Sequence, residues 1–101
     1  MEETVILIKR GKFPKKYTAY VKDKTTNKIR KIHFGDQRYP QYKDRTKLKL
    51  YSSKNHNTKR RMQRYYLRHS KTKNRREAIQ KEIKASGGYY NAKILSHKFL
   101  W

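Results

Sequence analysis

Apolar and polar positions in the first third of the chain alternate with the two-residue period of a strand. Thr4 to Lys9 is a short β-branched stretch, and Gly11 with Pro14 punctuates a turn after it. Lys16 to Lys22 then places Tyr17, Ala19 and Val21 on one face and Thr18, Tyr20 and Lys22 on the other. Asp23 to Asn27 supplies polar turn residues, and Lys28 to Phe34 returns with Ile32 and Phe34 two apart. The pattern predicts an antiparallel β-meander of about three strands, a β unit over 1–36 that ends at Gly35.

From Gln37 to Lys54 the periodicity fails. Tyr39, Pro40, Tyr42, Leu48, Leu50 and Tyr51 are scattered among charges, which reads as an extended segment lying on a surface, with a short extra strand at Leu48 and Leu50. Residues 55–101 read as a helical unit of two to three short helices. Asn55 or Asn57 is placed to cap a helix running to about His69. At about 100° per residue, Arg60, Arg64, Arg68 and Arg61 fall within about 100° of one another. Met62, Tyr65, Tyr66 and His69 fall on the other side, where a core role is the simplest reading, and Leu67 sits among the arginines without a reason.

Asn74 and Glu77 have the spacing of a capping box, in which each side chain satisfies a backbone N–H of the first turn. Ile79 and Ile83 give the helix that follows a narrow apolar stripe ending at Gly87 or Gly88. A last helix from about Asn91 would carry Ile94, Leu95, Phe99 and Trp101 on one broad face, with Lys98 snorkelling out of it. The fold class is therefore α+β, in one small domain over 1–101.

Composition changes the picture in two ways. The 101 residues hold 29 Lys and Arg against 7 Asp and Glu, a net charge of +22, and only 34% of them are hydrophobic. Low hydrophobicity with high charge is the signature of a disordered chain. Thirteen aromatic residues, nine of them Tyr, argue instead for a thin core completed by something anionic. Cysteine is absent, which excludes disulfides and thiolate metal sites. The longest apolar run, Val5 to Ile8, is far too short to cross a bilayer, and Glu2 and Glu3 before it argue against a signal peptide.

The charge is also unevenly placed. The 32 residues from Arg45 to Arg76 hold thirteen Lys or Arg and no acid. A run of like charge is often only a solvated face. Within this run Arg outnumbers Lys over positions 59–76, which suits bidentate contacts to phosphate or carboxylate. The candidate partner-binding residues are Arg60, Arg61, Arg64, Arg68, Arg75, Arg76, Lys47 and Lys49, with Tyr39, Tyr42 and Tyr51 as aromatics available for stacking or for an interface. Nucleic acid, acidic protein surfaces and anionic membrane head groups all meet that electrostatic demand.

Catalysis finds little support in the residues. His33, His56, His69 and His97 match no zinc-binding spacing, the few acids are dispersed, and the glycines form no phosphate loop. Asn55-His56-Asn57 shares residue types with a His-Asn-His nuclease, but the supporting residues are not evident. No catalytic residue, cofactor or metal ion is predicted.

Lys31, His33, Phe34 and Gly35, then Tyr39, Tyr42 and His56, then Arg60, Arg61, Tyr65, Arg68 and His69, and finally Leu100 and Trp101 follow one another in a distinctive order. With this order the chain resembles a family of small basic uncharacterised proteins of nucleocytoplasmic large DNA viruses, the chlorella-virus and mimivirus kind. Their pattern runs Lys-x-His-Phe-Gly, a Tyr-containing stretch, a His, a basic segment ending Tyr-x-x-Arg-His, and a terminal Leu-Trp. The stretch between Tyr42 and His56 is longer than the pattern, and Arg75 and Arg76 stand where the family tends to carry acid and Trp. The family brings no known catalytic residues.

The resemblance implies a virion structural protein in the capsid interior, made in host cytoplasm or nucleus. The expectation is a minor capsid protein that fills seams on the inner side of the shell, against the major capsid protein, other minor capsid proteins or an anionic membrane surface. Genome packaging through DNA or RNA binding is the alternative. A ribosomal protein fits the composition and ranks behind both.

Overall fold

A computed structural model describes residues 1–101. Three strands, β1 (Glu3–Arg10), β2 (Lys15–Asp23) and β3 (Ile29–Asp36), form one antiparallel sheet in the order β1-β2-β3. After an irregular segment and a short 3₁₀ turn at Ser52–Lys54 come three helices, α1 (Lys59–Ser70), α2 (Arg75–Ala85) and α3 (Ala92–Phe99). The α+β architecture follows the residue pattern closely.

The β2–β3 hairpin forms because Asp23 accepts hydrogen bonds from the backbone N–H groups of Thr25 and Thr26 at 2.8 and 2.9 Å, while Asn27 turns the chain at φ 61°. Tyr17, Ala19 and Val21 are wholly buried with Ile32 and Phe34 on the same face of the sheet. Ile94 and Leu95 of α3, with Leu100, Tyr51 and Tyr90, cover them and complete the main core. Tyr65, Tyr66 and Ala78 build a smaller cluster between α1 and α2, and Trp101 packs against both clusters.

Glu3 locks the far corner of the sheet. Arg30 donates to both of its carboxylate oxygens at 2.7 and 2.9 Å, and the Tyr90 N–H donates to it at 2.8 Å, which ties β1, β3 and the entry to α3 together. The Arg30 guanidinium and the Tyr90 N–H hold the Glu3 carboxyl below its usual range.

Residues 37–54 carry no regular element beyond the 3₁₀ turn, and Leu48 and Leu50 form no strand. Most of the stretch is exposed, but Gln41, Asp44, Thr46 and Tyr51 are buried and anchor it to the rest of the fold. The ordering force is a set of buried polar groups that leaves no trace in hydrophobic periodicity. Asp44 accepts from the Tyr17 hydroxyl at 2.5 Å, from the Thr46 N–H and hydroxyl at 3.0 and 2.6 Å, and from the Tyr51 N–H at 3.2 Å. Gln41 donates to the Tyr51 carbonyl and to Asn55 Oδ1, each at 2.7 Å, and accepts from Lys16 Nζ. The backbone N–H groups of Lys43 and Arg45 then reach the carbonyls of Leu100 and Phe99.

That use of Asn55 also corrects the helix start. Neither Asn55 nor Asn57 caps α1. Asn55 Oδ1 is occupied by Gln41 and the Asp44 N–H, Asn57 sits at φ 54°, and Thr58 is the cap residue, its hydroxyl donating back to the His56 carbonyl at 3.1 Å rather than capping the helix. The helix ends at Ser70, which is buried, whereas His69 is exposed.

In α2, Asn74 Oδ1 accepts from the Glu77 N–H at 3.0 Å, but Glu77 accepts from the Thr72 hydroxyl instead of the Asn74 backbone, so the capping box is half formed. The N–H groups of Gly87 and Gly88 bond to the carbonyls of Lys84 and Ile83 with both glycines at positive φ, the left-handed ending expected there. Asn91 caps α3 through the Ile94 N–H at 2.8 Å.

Candidate functional site

Burial of Tyr65 and Tyr66 fixes the roll of α1 and so turns Arg60, Arg61, Arg64 and Arg68 outward. None of these four, nor Arg76, has a hydrogen bond or ion pair within the chain. The acids are spent elsewhere. Glu3, Asp23, Asp36, Asp44, Glu77 and Glu82, six of the 7, accept hydrogen bonds inside the fold. With 29 Lys and Arg against 7 acids, and no acid paired to these arginines, their field reaches solvent.

Beside this face lies a groove of about 680 Å³, bounded by the ends of β2 and β3, Tyr39 and Pro40, α1, α3 and the terminal Leu100-Trp101. Its apolar lining is Phe34, Tyr65, Leu100 and Trp101, and Lys15, Arg61, Arg68 and Lys93 bring positive charge to it. Trp101 stacks on Tyr65 with ring centres 4.1 Å apart and planes 3° from parallel, and His56 packs against the indole at 5.3 Å. The one acid in the lining, Asp36, is held by Arg38 at 2.7 Å, and that guanidinium keeps its carboxyl well below the usual range.

Lys16 closes the base of the groove. Its residue is 2% exposed, and Nζ donates to the Tyr39 carbonyl at 2.9 Å and to Gln41. Burial and the nearby Lys54 lower its pKa to about 8. Strand alternation assigned Lys16 to the solvent side, and no local signal marks it as buried.

The proposed binding residues separate into two groups. Arg60, Arg61, Arg64, Arg68, Arg76, Lys47 and Lys49 are exposed. Arg75 is half-buried and donates to the Lys98 carbonyl at 3.0 Å, so its charge is turned inward onto the end of α3 and it leaves the candidate set. Of the three candidate tyrosines, Tyr39, Tyr42 and Tyr51, only Tyr39 is open to solvent, at 62%. Tyr42 is half-buried against His56 and Arg45. Tyr51 belongs to the core, edge-on to Tyr17 at 5.3 Å, and is no stacking residue.

Of the groove lining, sequence reasoning singled out only Arg61, Arg68 and Tyr39 as site residues; among those it missed are the cations Lys15, Lys16 and Lys93 and the ring of His69. A signal was present in the ordered string of residues itself. Phe34, Gly35, Arg61, Tyr65, Arg68, His69, Leu100 and Trp101 come from three distant stretches and line this one groove, with His56 packed at a tilt against Trp101 and Tyr42 edge-on behind it.

One Ser–His contact invites a catalytic reading. Ser70 Oγ lies 2.8 Å from His97 Nε2, but Ser70 also donates to Glu82 at 2.9 Å, and Tyr65 meets His97 Nδ1 at 2.9 Å. The consistent assignment runs Tyr65 O–H to Nδ1, Nε2–H to Ser70, and Ser70 O–H to Glu82. The serine proton thus points away from the imidazole, and both residues are buried, so the arrangement pins α1, α2 and α3 together rather than activating a nucleophile. Desolvation lowers the His97 pKa to about 4, which keeps the ring neutral. No three metal-ligating side chains cluster anywhere in the chain, and no helix is long and apolar enough to cross a membrane.

Comparison with protein-family models, with curated proteins and with solved structures returns no match.

Proposed function

We propose that this chain is a non-enzymatic structural protein of a large DNA virus particle, and that the guanidinium face of α1 holds the phosphates of packaged nucleic acid. The supporting observation is the division of charge. Six of 7 acids are committed to internal hydrogen bonds while Arg60, Arg61, Arg64 and Arg68 have no partner in the chain. A surface so charged gains most from a dense polyanion whose counter-ions are released on binding.

The test is the salt dependence of duplex DNA binding by the full chain. Replacing Arg60, Arg61, Arg64 and Arg68 with Gln should lower the slope of log affinity against log salt by about three to four, at about 0.9 per lost phosphate contact. An unchanged slope rejects this face.

A second reading, a minor capsid protein on acidic protein or membrane surfaces, draws on the outer side of the sheet. A register shift between Val5 and Leu7 leaves Ile6 and Leu7 both exposed, at 49% and 45%. Tyr20 pairs with Leu7 and Lys31, and Lys9 and Lys31 lie over its ring. This mixed apolar and cationic surface suits an acidic protein. Particles emptied of genome would keep the protein on this reading and lose it on the first.

A further inference from the structure

We infer that the groove beside α1 receives an unpaired nucleotide, so that the chain prefers single-stranded to duplex nucleic acid. The inference rests on the reading that α1 binds nucleic acid and deepens it by naming the form of the ligand. A face of arginines alone follows phosphates and, because a duplex is the denser polyanion, gives no preference for single strands. The groove adds a recess with an apolar floor of Phe34, Leu100 and aromatic rings, and cations at its lining. Its volume, about 680 Å³, lies within the roughly 300–1,000 Å³ of sites that enclose small organic groups.

The chemistry of the lining matches a base joined to a phosphate. Arg61 and Arg68 belong both to the exposed face of α1 and to the groove, so a backbone running along α1 passes its opening. Lys15 and Lys93 bring charge from the strand and α3 sides. Tyr39 offers the largest free aromatic surface in the lining, and its backbone is held by the bond from buried Lys16. A base that has left its neighbours can stack there, which a paired base inside a duplex cannot do. Asp36 would repel a phosphate, but Arg38 already binds its carboxylate. An acidic peptide would satisfy the cations and leave the aromatic recess unused.

Trp101, the only tryptophan, lies in the groove wall and reports its occupancy. The full chain is titrated with a short oligothymidylate and with a duplex of equal length at matched ionic strength, followed by indole fluorescence and by anisotropy of the labelled nucleic acid. The expected result is Trp101 quenching by the single strand alone. Tyr39→Ala should weaken single-strand binding about tenfold, a typical effect of losing one stacking ring, and leave duplex binding and the circular dichroism spectrum unchanged. Equal quenching by duplex or by inorganic polyphosphate, or equal weakening of both nucleic acids by Tyr39→Ala, overturns the groove while leaving α1 as a polyanion face. Failure of every polyanion to bind overturns both.

Discussion

The hydroxyl of Tyr17, in the middle strand, donates to Asp44 at 2.5 Å and accepts from the Leu50 N–H at 3.0 Å, with the Thr46 hydroxyl, whose proton goes to Asp44, 3.0 Å away. One phenolic oxygen thereby fastens the irregular segment to the sheet. Asp44 is 2% exposed and forms no salt bridge, so donors alone keep its carboxylate satisfied. Burial and the bond to Asp44 push the Tyr17 pKa up to about 12.

Tyr17→Phe keeps the ring and removes that oxygen, leaving the Leu50 N–H and one Asp44 oxygen short of a partner. The expected loss is about 2–3 kcal/mol, the cost of unsatisfied buried polar groups, read from the urea midpoint. Tyr20→Phe, on the outer face, should change the midpoint little. Equal midpoints for the two variants would deny the network its role.

The pH dependence of stability should carry the mark of His97. Its folded pKa is about 4, against about 6.5 in an unfolded chain. Between those values the unfolded state takes up a proton that the folded state refuses, so stability present above pH 6.5 is lost as pH falls toward 4. The slope approaches about 1.4 kcal/mol per pH unit. His56 and His69, whose pKa values burial also lowers, act in the same direction. His97→Gln should flatten this limb in urea titrations across pH 4–7, and an unchanged limb would place its origin elsewhere.

Gly35 sits at φ 75°, and a Cβ there would lie 2.8 Å from Leu100 Cδ1 and 3.0 Å from Lys16 Cβ. Gly35→Ala therefore combines left-handed backbone strain with a clash between the sheet and the groove floor, at a cost of about 2 kcal/mol or more. Thermal unfolding measures it. A change under about 0.5 kcal/mol, the range of ordinary surface substitutions, would mean that Leu100 moves aside freely.

Strands and helices were legible because their signals are local. Tyr17, Ala19 and Val21 sort themselves by alternation, and the asparagines at 74 and 91 announce helix starts within three residues of where they act. The groove rim along α1 was legible for the same reason. What stayed hidden depends on partners far along the chain: Gln41 to Asn55, Asp44 to Tyr17, Lys16 to Tyr39. Single side-chain bonds across such separations have no period, so residues 37–54 read as lying on a surface and the burial of Gln41, Asp44 and Thr46 within them went unseen. Tyr51 looked like spare aromatic surface because nothing near it in the chain reveals the Tyr17 ring it meets.

The internal employment of nearly all the carboxylates divides the molecule's electrostatics into two compartments with different sensitivities. A bond such as Asp44 to Tyr17 is short, buried and only weakly felt by dissolved ions. The arginines of α1 lie in water, where added salt screens them at once. On the proposed function, raising ionic strength should consequently detach the protein from nucleic acid while leaving its architecture whole, so that it leaves as a folded unit.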